Sequence, residues 1–377
     1  MRMLIITHVL HFFENGKVYA YGPYVREMNL WFKYVNEVIV VAPLENCPPD
    51  PIDLPYEHPR IRFEAVPAFS FTTLPNVLRA LRHLPGVLFR IGAAMRRADH
   101  IHLRCPGNMG LLGCLVQVAF PNKPKTAKYA GNWDPESRQP WSYRLQKWLL
   151  RNTWLTHNMQ ALVYGQWPDA TRNILPFFTA SYSEAEALPI PARSIDRAQP
   201  VRLLFVGGLH AGKRPLLAVK VAKMLSERGV PVRLDVYGDG PERAKLEEFI
   251  WENGLGEKVF LHGNVEAAIV KEAYSRSHFL VFLSRSEGWP KVVAEAMFWG
   301  CLPLTSPVSC VPEMVGNGER GDLLPADSDT IAERILWYIR HPGEYLLKAE
   351  KAMAWSRQYT LERFEKEIQK LLYHSSL

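Results

Sequence analysis

Short apolar runs alternate with helix-period segments along almost the whole chain. From residue 201 the apolar runs VRLLFVGGL, VRLDVYGDG, VFLHGNV, HFLVFLS and GCLPLTS read as buried strands. Between them, PLLAVKVAKMLSERG, PERAKLEEFIWENG, AAIVKEAYSRS and the stretch after Pro290 read as helices. Two further helical stretches are predicted at 328–340 and 343–373. The first half follows the same rhythm. MLIITHV, EVIVVAP, IRFEAVPA, HIHLRCP, KTAKYAG and ALVYG predict strands. A loop with Gly16 and Gly22 leads to a helix over 23–34, and further helices are predicted at 75–97, 108–120 and 138–155. Residues 186–200, rich in proline and charge, read as a linker. Repeated strand–helix–strand units imply parallel sheets covered on both faces. The expected fold class is α/β: two Rossmann-like domains, at 1–190 and 200–355, with parallel sheets facing a central cleft.

Candidate chemistry lies in the loops that follow these strands. EGWPKVVAE places Glu287 in a loop marked by Ser284, Ser286, Gly288 and Pro290, and Glu295 inside an apolar-periodic helix. Pro290 suits a first helical turn, and the N–H groups of Lys291, Val292 and Val293 would form a seat for phosphate. FVGGLHAGKRP ends another strand with Gly207 and Gly208, and Lys213 and Arg214 stand at the next helix start. Its spacing fits neither GxxxxGK[ST] nor GxGxxG. Gly238, Gly240, Gly263 and Asn264 end two more strands, so polar glycine-rich loops are expected along one sheet rim. Each feature also has a plain reading, as a turn or a solvated charge; their convergence on one rim favours a nucleotide-sugar site.

Composition narrows the class. The chain has 377 residues, 47% hydrophobic and 22% charged, a balance that suits two soluble domains. The first segment reads as a strand rather than an export signal, and no run is long enough to span a membrane. Five cysteines without a CxxC pair fit reduced thiols, so a cytoplasmic location is expected, at or near the inner membrane face. Residues 1–190 carry 20 Lys and Arg against 14 Asp and Glu, the remainder 25 against 24. The excess concentrates in two basic–aromatic clusters: Arg79, Arg82, Arg90, Arg96 and Arg97 among leucines, and Arg138, Arg144, Lys147 and Arg151 beside Trp141, Trp148 and Trp154. An anionic membrane surface is one candidate partner, and an ordinary solvated helix face is the alternative. No nucleic-acid motif accompanies the charge, so nucleic acid is not expected as a partner.

Residues 200–373 resemble the family-4 retaining glycosyltransferases, whose fold is GT-B. The resemblance rests on FVGGLHAGKRPLLAVKVAKML, VYGDGPERAKLEE, VFLHGNV, SRSEGWPKVVAEAMFWGCLPLTS and PEMVGNGERGDLLP. It implies that Glu287 contacts the donor sugar and Glu295 the ribose. Amides after Gly288, from Trp289 to Val293, would support sugar and diphosphate. Lys213 would neutralise the diphosphate, and Asn264 and Val265 would reach the base, with Gly238 on the same rim. Where many members carry an arginine this chain has Gly208, and Arg214 stands ready to compensate. Pro290 replaces a common glycine and removes one amide donor. In the first half the match is to Gly16, expected at the diphosphate, and to Arg104, five residues after Asp99, where the family often has a histidine. Arg104 could stabilise the leaving group but not act as a base. Asn132, Trp133 and Asp134 follow a strand end and are candidates for the acceptor. The helix at 356–377 is expected to pack back on the first domain. The implied activity is metal-independent transfer, with retention, from a nucleotide sugar, as co-substrate without any cofactor, to a saccharide or lipid-linked acceptor in envelope polysaccharide or glycolipid synthesis. A nucleotide-sugar epimerase of the same fold and a non-catalytic nucleotide-sugar binder are the alternatives.

Overall fold

The structure is a computed structural model that describes residues 1–50, 52–67, 74–190, 193–195 and 199–373, the side chains of 74–81 excepted. The chain divides into two compact units. One comprises Met1–Phe178 and the residues from Phe364 onward; the other is Thr179–Arg363.

The second unit holds six parallel strands in the order Val259–Gly263, Val232–Tyr237, Val201–Val206, Phe279–Phe282, Leu302–Thr305, Asp322–Leu323. Numbered along the chain this is 3-2-1-4-5-6, the doubly wound order, and its direction reverses between Val201–Val206 and Phe279–Phe282. The central strands are largely apolar runs because helices cover both faces; Leu203, Leu204, Phe279 and Leu280 are fully buried. The segment 186–200 read as a linker belongs to this unit, although 191, 192 and 196–198 lie outside the described residues. Its Arg193 donates to the carbonyls of Ser275 and Trp299, which anchors it to the unit.

The first unit has a ten-stranded sheet. Its parallel strands run Ile174–Phe177, Met159–Tyr164, Lys125–Tyr129, His100–Cys105, Arg2–Ile6, Glu37–Glu45, Ile61–Val66. The order reverses between Arg2–Ile6 and His100–Cys105. Where a loop with Gly16 was expected there is a hairpin, His11–Glu14 with Lys17–Tyr21. Asn15 and Gly16 turn it with φ of 50° and 74°. Positive φ at both positions defines the primed turn that suits a two-residue hairpin. Gly16 takes the positive φ that this turn needs, and no protein atom lies within 4 Å of where its Cβ would be.

The helical stretch expected over 343–373 consists of two helices, Pro342–Ser356 and Leu361–Tyr373. Thr360 ends the interruption, its hydroxyl accepting from the Arg363 amide. Within the second helix Phe364 packs on Phe177 and Phe178, and Glu365 accepts from Tyr34 and Lys33. No helix among the described residues is long and apolar enough to cross a membrane.

Several histidines are buried as neutral rings. Burial draws His11, His100 and His278 down to about 4 and His102 to about 3. His100 and His102 share the Thr126 hydroxyl, at 2.9 and 2.8 Å. A folded pKa below the unfolded one means that the unfolded chain binds the extra protons. Stability is therefore complete above about pH 6.5 and falls as pH drops toward 4, by about 1.4 kcal/mol per pH unit for each such group. Melting temperatures measured from pH 7.5 to 4.5 are expected to decline; a flat profile would show that these rings protonate freely in the folded chain.

Candidate functional site

The second unit's sheet reverses direction where two loops leave adjacent strands, and ligands of doubly wound sheets sit outside the carboxyl ends at such a point. Lys213 stands in the loop after Val201–Val206, and Glu287 in the loop after Phe279–Phe282. Their side chains form an ion pair, and the Lys213 ammonium also lies 4.9 Å from the Phe282 ring centroid. The two loops are tied further. The Arg285 amide donates to the Gly212 carbonyl (2.9 Å), and Arg214 donates to the Leu283 carbonyl (3.1 Å). Arg214 takes a left-handed conformation (φ 53°) as the cap residue of the helix Pro215–Glu227. Burial, and then the nearby Arg285, hold its guanidinium below its ordinary pKa. Arg285 thus belongs to the same cationic group. Nothing in the sequence pattern singled it out, because it reads as one more charge in a polar loop.

The rim is stitched at backbone level. Gly207 N donates to Tyr237 O (2.9 Å), Gly238 N to Gly263 O (2.8 Å) and Leu209 N to Asp239 O (2.9 Å). Gly238 has φ 125°, and a Cβ there would stand 2.1 Å from the Gly207 carbonyl oxygen, so only glycine lets these two loops meet. Gly208 faces His210, 3.2 Å from an added Cβ. Asn264 is exposed and Val265 half-buried just beyond Val259–Gly263.

Helix Lys291–Phe298 begins one residue later than expected. Pro290 is its cap (φ −74°, ψ 93°) and not its first turn. The Val293 amide is bonded to the Pro290 carbonyl at 2.9 Å, so the outward amides of the expected seat reduce to Lys291 and Val292. The Gly288 carbonyl accepts from the Ser309 hydroxyl (3.1 Å) and the Cys310 thiol (3.2 Å), which braces the loop from behind. The Trp289 ring turns to Trp355 and Tyr359, at 6.3 and 5.8 Å between centroids, leaving its backbone beside Glu287. Glu295 is oriented by two hydroxyls, Ser181 Oγ on Oε1 (2.6 Å) and Tyr274 on Oε2 (3.0 Å). Tyr274 is fully buried, and burial, then Glu295, raise its pKa well above the phenol range, so it stays a donor. Both partners are distant in sequence and carried no local signal.

In the first unit Arg104 is the penultimate residue of the strand His100–Cys105, beside the reversal point. It donates to Glu27 Oε1 (2.8 Å), which lies 3.4 Å from Lys128 Nζ, and its guanidinium is 5.5 Å from the Tyr24 ring centroid. Burial alone would lower the Arg104 pKa; Glu27 reverses this and holds it above its ordinary value. Asn132 caps a turn by accepting the Asp134 amide (2.9 Å). Trp133 is 2% exposed and packs edge-on against Tyr129, so its ring is core. Asp134 Oδ1 accepts the Glu136 amide at 2.9 Å. Lys147, counted in a basic surface cluster, instead reaches inward to the carbonyls of Trp133 and Asp134, both at 3.0 Å, and burial draws it down to about 8.

Residues 191–358 match the family described as glycosyl transferases group 1. Among curated proteins, alpha-D-kanosaminyltransferase of Streptomyces kanamyceticus is 28% identical over 123 residues, 33% of this chain and 32% of that protein. The match thus spans about a third of that relative's length. A solved structure of Anabaena Alr3699/HepE in complex with UDP superposes with a TM-score of 0.71 at 15% identity, covering 100% of both chains. The lipopolysaccharide outer core galactosyltransferase WaaB superposes with a TM-score of 0.68 at 16% identity, covering 99% of each. Residues 191–358 are thus similar to the glycosyl transferases group 1 family, and the chain as a whole carries the GT-B fold.

Proposed function

We propose that this chain transfers a sugar from a nucleoside-diphosphate sugar to an acceptor hydroxyl, with retention, in assembly of an envelope polysaccharide or glycolipid. The observation that carries the proposal is the Lys213–Glu287 pair, placed by two adjacent strands at the reversal point of a doubly wound sheet. Incoming diphosphate would take the Lys213 ammonium from Glu287 and release that carboxylate to accept from the sugar's hydroxyls. Arg214, Arg285 and the start of helix Pro215–Glu227 would add positive potential where the leaving diphosphate gains charge. Glu295, already aimed by Ser181 and Tyr274, keeps lone pairs for ribose hydroxyls. Lys291 and Val292 offer amides to the phosphates, Gly238 lets the rim loops close on one another beside the donor, and Asn264 and Val265 stand where a base would lie. The family match and the fold shared with a UDP complex support the donor class; the superposition with a lipopolysaccharide galactosyltransferase supports the acceptor class.

The test is calorimetric titration with UDP and other nucleoside diphosphates, followed by a turnover screen with the matching sugars and saccharide or lipid-linked acceptors. Lys213→Ala is expected to weaken nucleoside-diphosphate binding by about tenfold or more, as loss of a charge-assisted contact implies. Equal affinity in the variant would remove Lys213 from the site, and sugar-donor turnover without any glycosylated product would remove the transferase reading.

A further inference from the structure

We infer that one face of the first unit, carrying Trp141, Trp148, Trp154 and Phe89, docks on an anionic lipid surface. The inference goes beyond the transfer reaction and stands on different residues. Helix Trp141–Arg151 buries Gln146, Leu149 and Leu150. Its opposite side, in steps of three and four residues, presents Trp141, Arg144 and Trp148 to solvent. The indoles thus occupy the face where an ordinary amphipathic helix places its charges. Trp141 is 64% exposed, Trp148 56% and, one turn past the helix, Trp154 77%. Helix Asn108–Val116 packs between this helix and Leu74–Arg97. It adds the exposed Leu115, and the short turn after it adds Val118. Leu74–Arg97 buries Val87, Ile91, Ala94 and Met95 and turns Phe89 (78% exposed) outward, together with Arg82, Arg90 and Arg96.

The charge of this layer has one sign. None of the three helices contains an aspartate or a glutamate. Among the described residues no carboxylate forms an ion pair with Arg82, Arg138 or Arg144, whereas Arg151 pairs with Asp169 and Lys147 is turned inward. The isolated exposed Trp251 of the second unit sits on a helix with three glutamates, so exposed indoles in this chain are not always set in a basic field. Interleaving decides the partner. A dry protein interface depletes charge at its centre, whereas a headgroup layer takes indoles at the depth of the glycerol and arginines at the phosphates. Single-stranded nucleic acid stacks on aromatics that line a groove; here the rings stand on helix surfaces.

The test is co-sedimentation of the full chain with vesicles of phosphatidylcholine alone or mixed with phosphatidylglycerol, at low and high salt. Sedimentation is expected only with the mixed vesicles, with a blue-shifted tryptophan emission, and is expected to weaken with salt. The triple variant Trp141→Ser, Trp148→Ser, Trp154→Ser and the double variant Arg138→Gln, Arg144→Gln should each partition about tenfold or more weakly. Both should keep the wild-type melting temperature and UDP affinity, because the substituted side chains are solvent-facing and outside the donor site. Wild-type protein left in the supernatant with anionic vesicles, or the tryptophan variant sedimenting as well as wild type, would overturn the inference. So would wild-type chain that binds polyuridylate but not the vesicles, which would assign the face to nucleic acid. Since UDP binding is read separately, loss of vesicle binding and failure of the transfer proposal are distinguishable.

Discussion

Glu287→Ala is expected to lower sugar-transfer turnover about 10²–10³-fold, the range seen when one contact to developing transition-state charge is removed. The carboxylate is held by Lys213 in a loop braced through Gly288 by Ser309 and Cys310. Its loss removes the acceptor for sugar hydroxyls and leaves the Lys213 ammonium without its partner. That ammonium still has the Phe282 ring beside it and is 23% exposed, so the fold is expected to persist. Circular dichroism and the melting temperature should therefore stay near wild type while product formation collapses. Glu287→Gln keeps the shape and some hydrogen bonding, and is expected to fall between the two. Turnover at wild-type level in Glu287→Ala, with the donor bound, would remove the carboxylate from the mechanism.

The largest stability loss is expected from Glu27→Ala in the first unit. Glu27 is the shared counter-charge of Arg104 and Lys128, and Lys128 is fully buried. Both cations would stay inside without it. Breaking a buried ion pair from one side costs about 3–5 kcal/mol, because the remaining charge cannot be solvated. Lys128 keeps the Phe178 carbonyl at 3.1 Å and three aromatic rings between 4.9 and 5.3 Å, so a value near the lower end is expected. Glu27→Ala paired with Lys128→Met should recover part of the loss, since one orphaned charge is then gone. Denaturant midpoints measure both. An unchanged midpoint in Glu27→Ala would mean that water reaches Arg104 and Lys128 without cost.

These two glutamates differ in how far the chain alone reveals them. Glu287 was legible: a loop of Ser, Gly and Pro between a buried strand and a helix is local chemistry, readable within about ten residues. Glu27 was not, because it lies in an ordinary helical stretch and its partners are 77 and 101 positions away. The same division runs through the rest. Gly238 was singled out as a rim glycine, but the reason that only glycine fits, the Gly207 carbonyl, comes from a neighbouring strand. Trp133 followed a strand end like an exposed loop residue, yet Tyr129 and Lys147 close over it. Lys147 was counted as surface charge because periodicity along one helix cannot show that a loop supplies carbonyls beside it. Thr360 carried a readable capping signal inside the last helical stretch; the periodic pattern on either side hid it.

Residue order along 201–306 already dictated alternating strands and helices with polar, glycine-bearing loops, because hydrophobic period and turn chemistry act over a few neighbours. Which loops lie side by side was settled by strand order in the sheet. It set Lys213 against Glu287 across 74 residues, supplied Ser181 and Tyr274 to Glu295, and faced three indoles outward over a layer of arginines. Such pairings depend on long-range packing among strands that look alike as apolar runs, so no local pattern specifies them.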